Sequence, residues 1–117
     1  MHEASLVAAM CAEIEALAQK QGASRVGCIV VRVGELSGVE KEALEFAFEV
    51  YKREHSLFAD SSLQIEIISA RRSCLSCRGE FTGAPPCPKC GSLQTMALSG
   101  DELELNKIEL FVEERDV

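Results

Sequence analysis

Hydrophobic positions recur with a helical period over the first twenty residues. Leu6, Met10, Ile14 and Leu17 are spaced four, four and three apart, with Val7, Cys11 and Ala18 widening the stripe. This predicts an amphipathic helix over Glu3 to Gln21. Glu3 suits the positive end of its dipole, and Gly22 suits the left-handed residue that closes it. From Arg25 to Val33 the helical period gives way to Val26, Cys28, Ile29, Val30, Val31 and Val33. Such a β-branched run predicts a strand covered on at least part of both faces. Gly34 to Gly38 turns the chain. Ser37-Gly38-Val39-Glu40 fits a capping box, in which the Ser37 hydroxyl and the Glu40 carboxylate each accept a backbone N–H. The second helix presents Leu44, Ala47, Phe48 and Tyr51 on one face and ends near His55, before the polar loop Ala59-Asp60-Ser61-Ser62.

Leu63-Gln64-Ile65-Glu66-Ile67 alternates cleanly and predicts a strand. A last strand follows over Glu102 to Val112, its apolar phase slipping by one residue at Asn106-Lys107 as at a bulge. Between them, Arg71 to Gln94 is short of large apolar residues and rich in Cys, Gly and Pro. Burial alone cannot hold such a segment together. The order helix, strand, helix, strand, cysteine module, strand predicts an α+β protein, with two helices packed on a roughly three-stranded sheet. The α/β domain is then discontinuous, 1–70 plus 95–117, and the inserted module is 71–94.

Charge and composition narrow the function. The chain has 117 residues, 47% hydrophobic and 26% charged, the balance of a globular domain. Its net charge of −7 opposes sequence-independent binding to nucleic acid or anionic lipid, both of which need a basic face. No apolar run approaches the roughly 18 residues of a membrane helix, so no membrane insertion is expected. Met1-His2-Glu3-Ala4-Ser5 has no basic region of the secretory kind. A reducing, cytoplasmic setting is the expectation.

Four of the six cysteines lie within seventeen residues. Cys74-Leu75-Ser76-Cys77 and Cys87-Pro88-Lys89-Cys90 are separated by the nine residues Arg78 to Pro86. Each pair can form a knuckle, and a reversal through Gly79, Gly83 and Pro85-Pro86 brings the knuckles onto one ion as a zinc-ribbon-like four-cysteine module. Zinc is the expected ion; four thiolates leave it no open position for water, so the site is structural. Metal binding of this kind supplies roughly 10–16 kcal/mol of apparent free energy. Two disulfides, or four unrelated thiols, are the alternatives without a metal, and a rubredoxin-like iron centre uses the same four thiolates.

The terminus Met1-His2-Glu3 can also chelate. The Met1 α-amine, the deprotonated His2 amide and the His2 imidazole form two fused rings in one plane. Glu3 offers its backbone nitrogen or its carboxylate as a fourth donor. Square-planar nitrogen and oxygen coordination suits Ni(II) or Cu(II). Protonation of the amine (about 7.7–8.0) and the imidazole (about 6.5) competes with metal, so affinity falls as pH drops.

An N-terminal Met-His-Glu opening an amphipathic helix, combined with CxxC-x9-CxxC, resembles the HypA (HybF) family of nickel metallochaperones. The resemblance covers the whole chain, including Gly34-Glu35-Leu36-Ser37 and Gly100-Asp101-Glu102-Leu103-Glu104-Leu105. It implies transferable nickel at Met1, His2 and Glu3, which makes the discontinuous α/β domain the nickel-binding one. It implies structural zinc at Cys74, Cys77, Cys87 and Cys90. It also implies a HypB-type GTPase partner, delivery to the NiFe-hydrogenase large subunit and, for some relatives, a urease system. The chain itself has no GxxxxGK[ST] and no Ser-His-Asp or Cys-His arrangement, so no enzyme is expected. Two other readings remain at this stage, a zinc-ribbon adaptor without transferable metal and a rubredoxin-like electron carrier. Cys11 and Cys28 fit small buried hydrophobes. His55 fits a solvated residue or a helix-dipole partner, with a second nickel ligand as the alternative.

Overall fold

The structure is a computed structural model that describes residues 2–113. Helix α1 spans Glu3–Gln21, strand β1 Ala23–Gly34 and helix α2 Lys41–Lys52. A single 3-10 turn, Ser56–Phe58, leads to strand β2, Ser62–Ile68. Strands β3 (Arg71–Cys74), β4 (Glu80–Thr82) and β5 (Thr95–Ala97) precede the last strand, β6, Leu103–Val112. The strands form two three-stranded sheets, ordered β2-β1-β6 and β4-β3-β5. The expected α+β order therefore stands, and the cysteine segment carries a small sheet of its own. The chain divides into two compact units. Residues 2–31, 39–65 and 105–113 form the first; Arg32–Gly38 and Glu66–Glu104 form the second.

In the first unit α1 packs against α2. The fully buried stripe of α1 is Val7, Cys11, Ile14 and Ala18, while Leu6 and Met10 are half-buried and Leu17 is exposed. The buried stripe is thus a row of Val, Cys, Ile and Ala at helical spacing, while Ala8, Ala9 and Ala12 face solvent. Gly22 closes α1 in the left-handed conformation at φ 71°, its N–H donating to Gln19 O at 3.2 Å. Val26, Ile29 and Val31 of β1, Leu44 and Phe48 of α2, and Phe58 complete this core. The Phe48 and Phe58 rings meet edge to face at 6.4 Å, and Tyr51 meets Phe58 at 5.7 Å. Ser61, expected in a polar loop, is buried, and its hydroxyl donates to Val26 O at 2.5 Å.

Helix α2 starts later than the capping box predicts. Its N-cap is Glu40, in an extended conformation at φ −91°, ψ 128°. The Glu40 N–H is turned toward Glu3, donating to Oε2 at 3.4 Å. That contact is one of the polar interactions that satisfy a carboxylate only 5% exposed on the buried stripe of α1.

The second unit has little apolar core: Val33 and Ala70 are buried beside Cys74 and Cys87. Backbone pairing carries more of its structure. Strand β3 pairs antiparallel with β4, Arg71 opposite Thr82 and Ser73 opposite Glu80. It pairs with β5 on its other edge, Arg72 opposite Ala97 and Cys74 opposite Thr95. Arg71 reaches Glu80 across the sheet at 2.8 Å. These short strands have no apolar alternation, which is why the sequence pattern does not mark them.

Replacing Phe48 with Ala removes the centre of the first core and is expected to cost about 3–5 kcal/mol. Phe46, two positions earlier, is 68% exposed. Phe46→Ala is expected to stay within about 0.5 kcal/mol of the parent. Urea unfolding followed by circular dichroism measures both.

Candidate metal centre

The two Cys-x-x-Cys segments fold into the same knuckle twice. In the first, the Cys74 N–H donates to Gly79 O at 2.8 Å and the Arg78 N–H donates to Cys74 O at 2.9 Å. In the second, the Cys87 N–H donates to Ser92 O at 2.9 Å and the Gly91 N–H donates to Cys87 O at 2.8 Å. Each knuckle needs a left-handed residue just after its second cysteine. Gly91 supplies it at φ 75°, and Arg78 takes the same conformation at φ 65°, against the preference of a residue with a Cβ. The Ser76 and Ser92 hydroxyls, 2.8 Å apart, join the two segments, and the Leu75 N–H donates to Gln94 O at 2.8 Å. The chain between the knuckles passes through Gly83 and a cis Pro85–Pro86 bond.

This arrangement brings all four predicted sulfurs together. Cys74 Sγ lies 3.5 Å from Cys90 Sγ, and Cys77 Sγ lies 3.8 Å from Cys87 Sγ. All four lie within 4.8 Å of one another. Four sulfurs at about 2.3 Å from one zinc ion stand about 3.8 Å apart along the tetrahedron's edges. The residues present therefore fit one tetrahedral ion in both donor type and spacing. Cys74 and Cys87 are buried; Cys77 and Cys90 are exposed. This is the one cluster of at least three such ligand side chains among the described residues.

The thiols are already biased. The Cys77 amide, 3.4 Å from Cys74 Sγ, leads the causes that bring the Cys74 thiol down to about 6. It outweighs burial, and the Ser76 amide and neighbouring sulfurs add to it. At Cys87, burial opposes ionisation, but the Cys90 and Lys89 amides prevail and the thiol is lowered. Cys90 goes the other way: the Ser92 amide favours its thiolate, yet the Cys74 sulfur, burial and the other two sulfurs push it up to about 11. Without a cation, like charges at this spacing hold at least one proton.

The amino-terminal candidates lie in the first unit. Met1 is outside the described residues. His2 occupies the N-cap position of α1, its carbonyl accepting the Leu6 N–H at 2.9 Å and its side chain exposed. Glu3 begins the helix, and its carboxylate is buried where it accepts the Glu40 N–H. His2 and Glu3 are thus adjacent in the chain but differ sharply in exposure. The Glu3–Glu40 contact was not visible in the sequence, because nothing in the local pattern links residues 37 positions apart.

The remaining cysteines and His55 take quieter places. Cys11 is fully buried in the α1 stripe, and burial, with the nearby Glu15 charge, pushes its thiol up to about 12. Cys28 is half-buried, its Sγ 3.9 Å from Gln64 Oε1. The His55 ring stacks on Tyr51 with centroids 3.7 Å apart, and its Nδ1 lies 2.9 Å from Tyr51 O. It sits where the last carbonyls of α2 offer the negative end of the helix dipole.

Comparison with known proteins places this geometry in a family. The family model described as hydrogenase/urease nickel incorporation, metallochaperone, hypA, matches residues 1–110. The hydrogenase maturation factor HypA of Syntrophus aciditrophicus is 39% identical over 117 residues, covering 97% of this chain and 100% of the relative. That of Aquifex aeolicus is 37% identical over 116 residues, with the same shares covered. The solution structure of the Ni metallochaperone HypA from Helicobacter pylori matches with a TM-score of 0.68 at 30% identity, covering 97% of this chain and 100% of that one. The chain belongs to the HypA family. Among the described residues no helix is long and apolar enough to cross a membrane.

Because sulfur binds metal as thiolate, protons compete for the centre. Cys74, with its thiol near 6, is ionised at neutral pH and regains its proton as pH falls through that value. Metal retention is therefore expected to be full at neutral pH and to fall on acidification, at lower pH as binding grows tighter. Dialysis against a chelator from pH 7.5 to 4, with metal content read by mass spectrometry, measures this.

Proposed function

We propose that this protein is a nickel-binding metallochaperone that delivers Ni(II) during maturation of NiFe-hydrogenase and carries structural zinc at Cys74, Cys77, Cys87 and Cys90. The observation that carries the reading is the family match over residues 1–110, which includes both metal-ligand constellations. The second unit holds the four-sulfur centre, with no position left for a reactant when zinc is bound. The first unit carries His2 exposed at the start of α1, accessible for both loading and release.

In this reading the cargo nickel is held by the Met1 α-amine, the His2 amide nitrogen and imidazole, and Glu3. Glu3 supplies the fourth donor, through its backbone nitrogen or through the carboxylate that also accepts the Glu40 N–H. As the first residue of α1, Glu3 keeps that nitrogen outside the helix's own hydrogen-bond ladder. The protein acts by binding and release, so it has no catalytic residues of its own. A nucleotide-driven step falls to a HypB-type GTPase, and the recipients are the NiFe-hydrogenase large subunit and, as the family description allows, a urease system.

Native mass spectrometry of the untagged protein with its amine free, titrated with Ni(II) beside His2→Ala, tests this directly. One zinc is expected in both proteins and one nickel in the parent alone, with affinity lost by more than about tenfold, or about 1.4 kcal/mol. A few residues added before Met1 should have the same effect. Equal nickel binding in all three proteins would overturn the terminal site and leave a zinc-stabilised adaptor. Iron in place of zinc, with a red colour, would mark an electron carrier.

A further inference from the structure

Two stretches that stand out in the sequence contain none of the metal-ligand candidates: Gly34-Glu35-Leu36-Ser37 and Gly100 to Leu105. Within the second unit they meet. The Leu36 N–H donates to Gly100 O at 2.6 Å, and the Gly34 N–H donates to Glu102 O at 2.7 Å. Beside this junction lies a cavity of about 200 Å³, lined by Leu36, Ala97, Leu98, Ser99 and Asp101. Cavities for drug-sized ligands run to about 300–1,000 Å³, so this one holds a single side chain and little more.

Its walls are fixed from both sides. The Leu98 N–H donates to Arg71 O at 2.7 Å, and the Arg71 N–H donates to Ser99 Oγ at 3.0 Å. Gly100, at φ 121°, packs so closely that a Cβ there would collide with Ala70 and crowd Leu36. A preformed cavity avoids an ordering cost on binding.

The lining selects a chemistry. Leu36 and Leu98 remain 45% and 42% exposed and give the cavity apolar walls. Three carboxylates lie in Gly34–Ser37 and Gly100–Glu102, the parts of the two stretches around the cavity. Glu35 accepts the Ala70 N–H at 2.7 Å, and Glu102 accepts the Gly100 N–H at 2.8 Å. The third, Asp101, makes no hydrogen bond or ion pair among the described residues. The nearby cation, Arg71, is paired with Glu80 at 2.8 Å. An apolar slot with an unpaired carboxylate at its edge suits a side chain with an aliphatic stem and a cationic head.

We propose that this cavity receives a lysine or arginine side chain carried on a partner polypeptide, its stem between Leu36 and Leu98 and its charge on Asp101. This docking point shares no residue with either metal constellation and does not depend on the nickel reading. It gives the second unit a way to grip a protein partner that presents a basic side chain.

The test is a titration of the full ¹⁵N-labelled, zinc-loaded chain with a blocked five-residue peptide bearing one central arginine among glycines and serines. Lysine, norleucine and glutamate versions are run beside it. Amide shifts are expected at Leu36, Leu98, Ser99 and Asp101, with arginine or lysine preferred over norleucine by about fivefold, the size of a well-placed surface ion pair. Glutamate should give no shifts there. Asp101→Asn should abolish the preference for charge, and Leu36→Ala should weaken every peptide. Both positions are exposed, and an otherwise unchanged spectrum with zinc retained confirms the fold of each variant. Shifts spread equally over the acidic face of α2, an unchanged preference in Asp101→Asn, or no shifts at millimolar peptide would each overturn the proposal.

Discussion

Mutual repulsion among four sulfurs is the constraint around which the second unit is organised. Sulfurs 3.5–3.8 Å apart in pairs cannot all carry charge unless a cation lies between them. Nor does the surrounding segment have the apolar mass to hold them there, with Val33 and Ala70 its main buried contribution besides two of the cysteines. The backbone amides at the knuckles soften the repulsion by favouring thiolate at Cys74 and Cys87. A dication completes what they begin, converting the least favourable contact in the unit into its strongest bond. The paired knuckle turns, the joined serine hydroxyls and the three short strands all serve to keep four donors at that spacing.

The first unit is held by a different kind of force. Its core is conventional, with two helices, buried residues of β1 and an aromatic cluster of Phe48, Tyr51 and Phe58. Such a core needs no ion. Glu3, buried against the start of α2, anchors the first helical turn, while His2 one residue earlier stays in solvent. In the proposed reading, a nickel site that must load and unload is better placed at such an edge than inside a cage. In the same reading, a structural ion is better served by the buried sulfurs of Cys74 and Cys87.

What the sequence made legible follows from how local each cause is. The bounds of α1 could be read because the periodic stripe and Gly22 are local signals. The four-sulfur centre could be read because few other roles require two Cys-x-x-Cys segments so close together. Harder to read were features with distant or backbone causes. The start of α2 lies at Glu40, whose N–H meets Glu3 37 residues away, and the local capping box at Ser37 misplaced it. Strands β3, β4 and β5 are defined by ladder pairing and by the Arg71–Glu80 contact, with no alternation to announce them. The left-handed Arg78 was equally hidden, since its conformation follows from the knuckle and opposes its own preference. The pairing of Leu36 with Gly100 belongs to the same class, joining two turns far apart in the chain.

The lone tyrosine has a practical meaning. With no tryptophan in the chain, Tyr51 is its principal near-ultraviolet fluorophore, and it is packed between the His55 and Phe58 rings in the first unit. The second unit contains neither residue type and would be nearly dark by that measure, while its state is legible in the number of metal ions it retains. Light emission and metal stoichiometry therefore watch different parts of one chain. Loss of one signal without the other would show which unit has come apart.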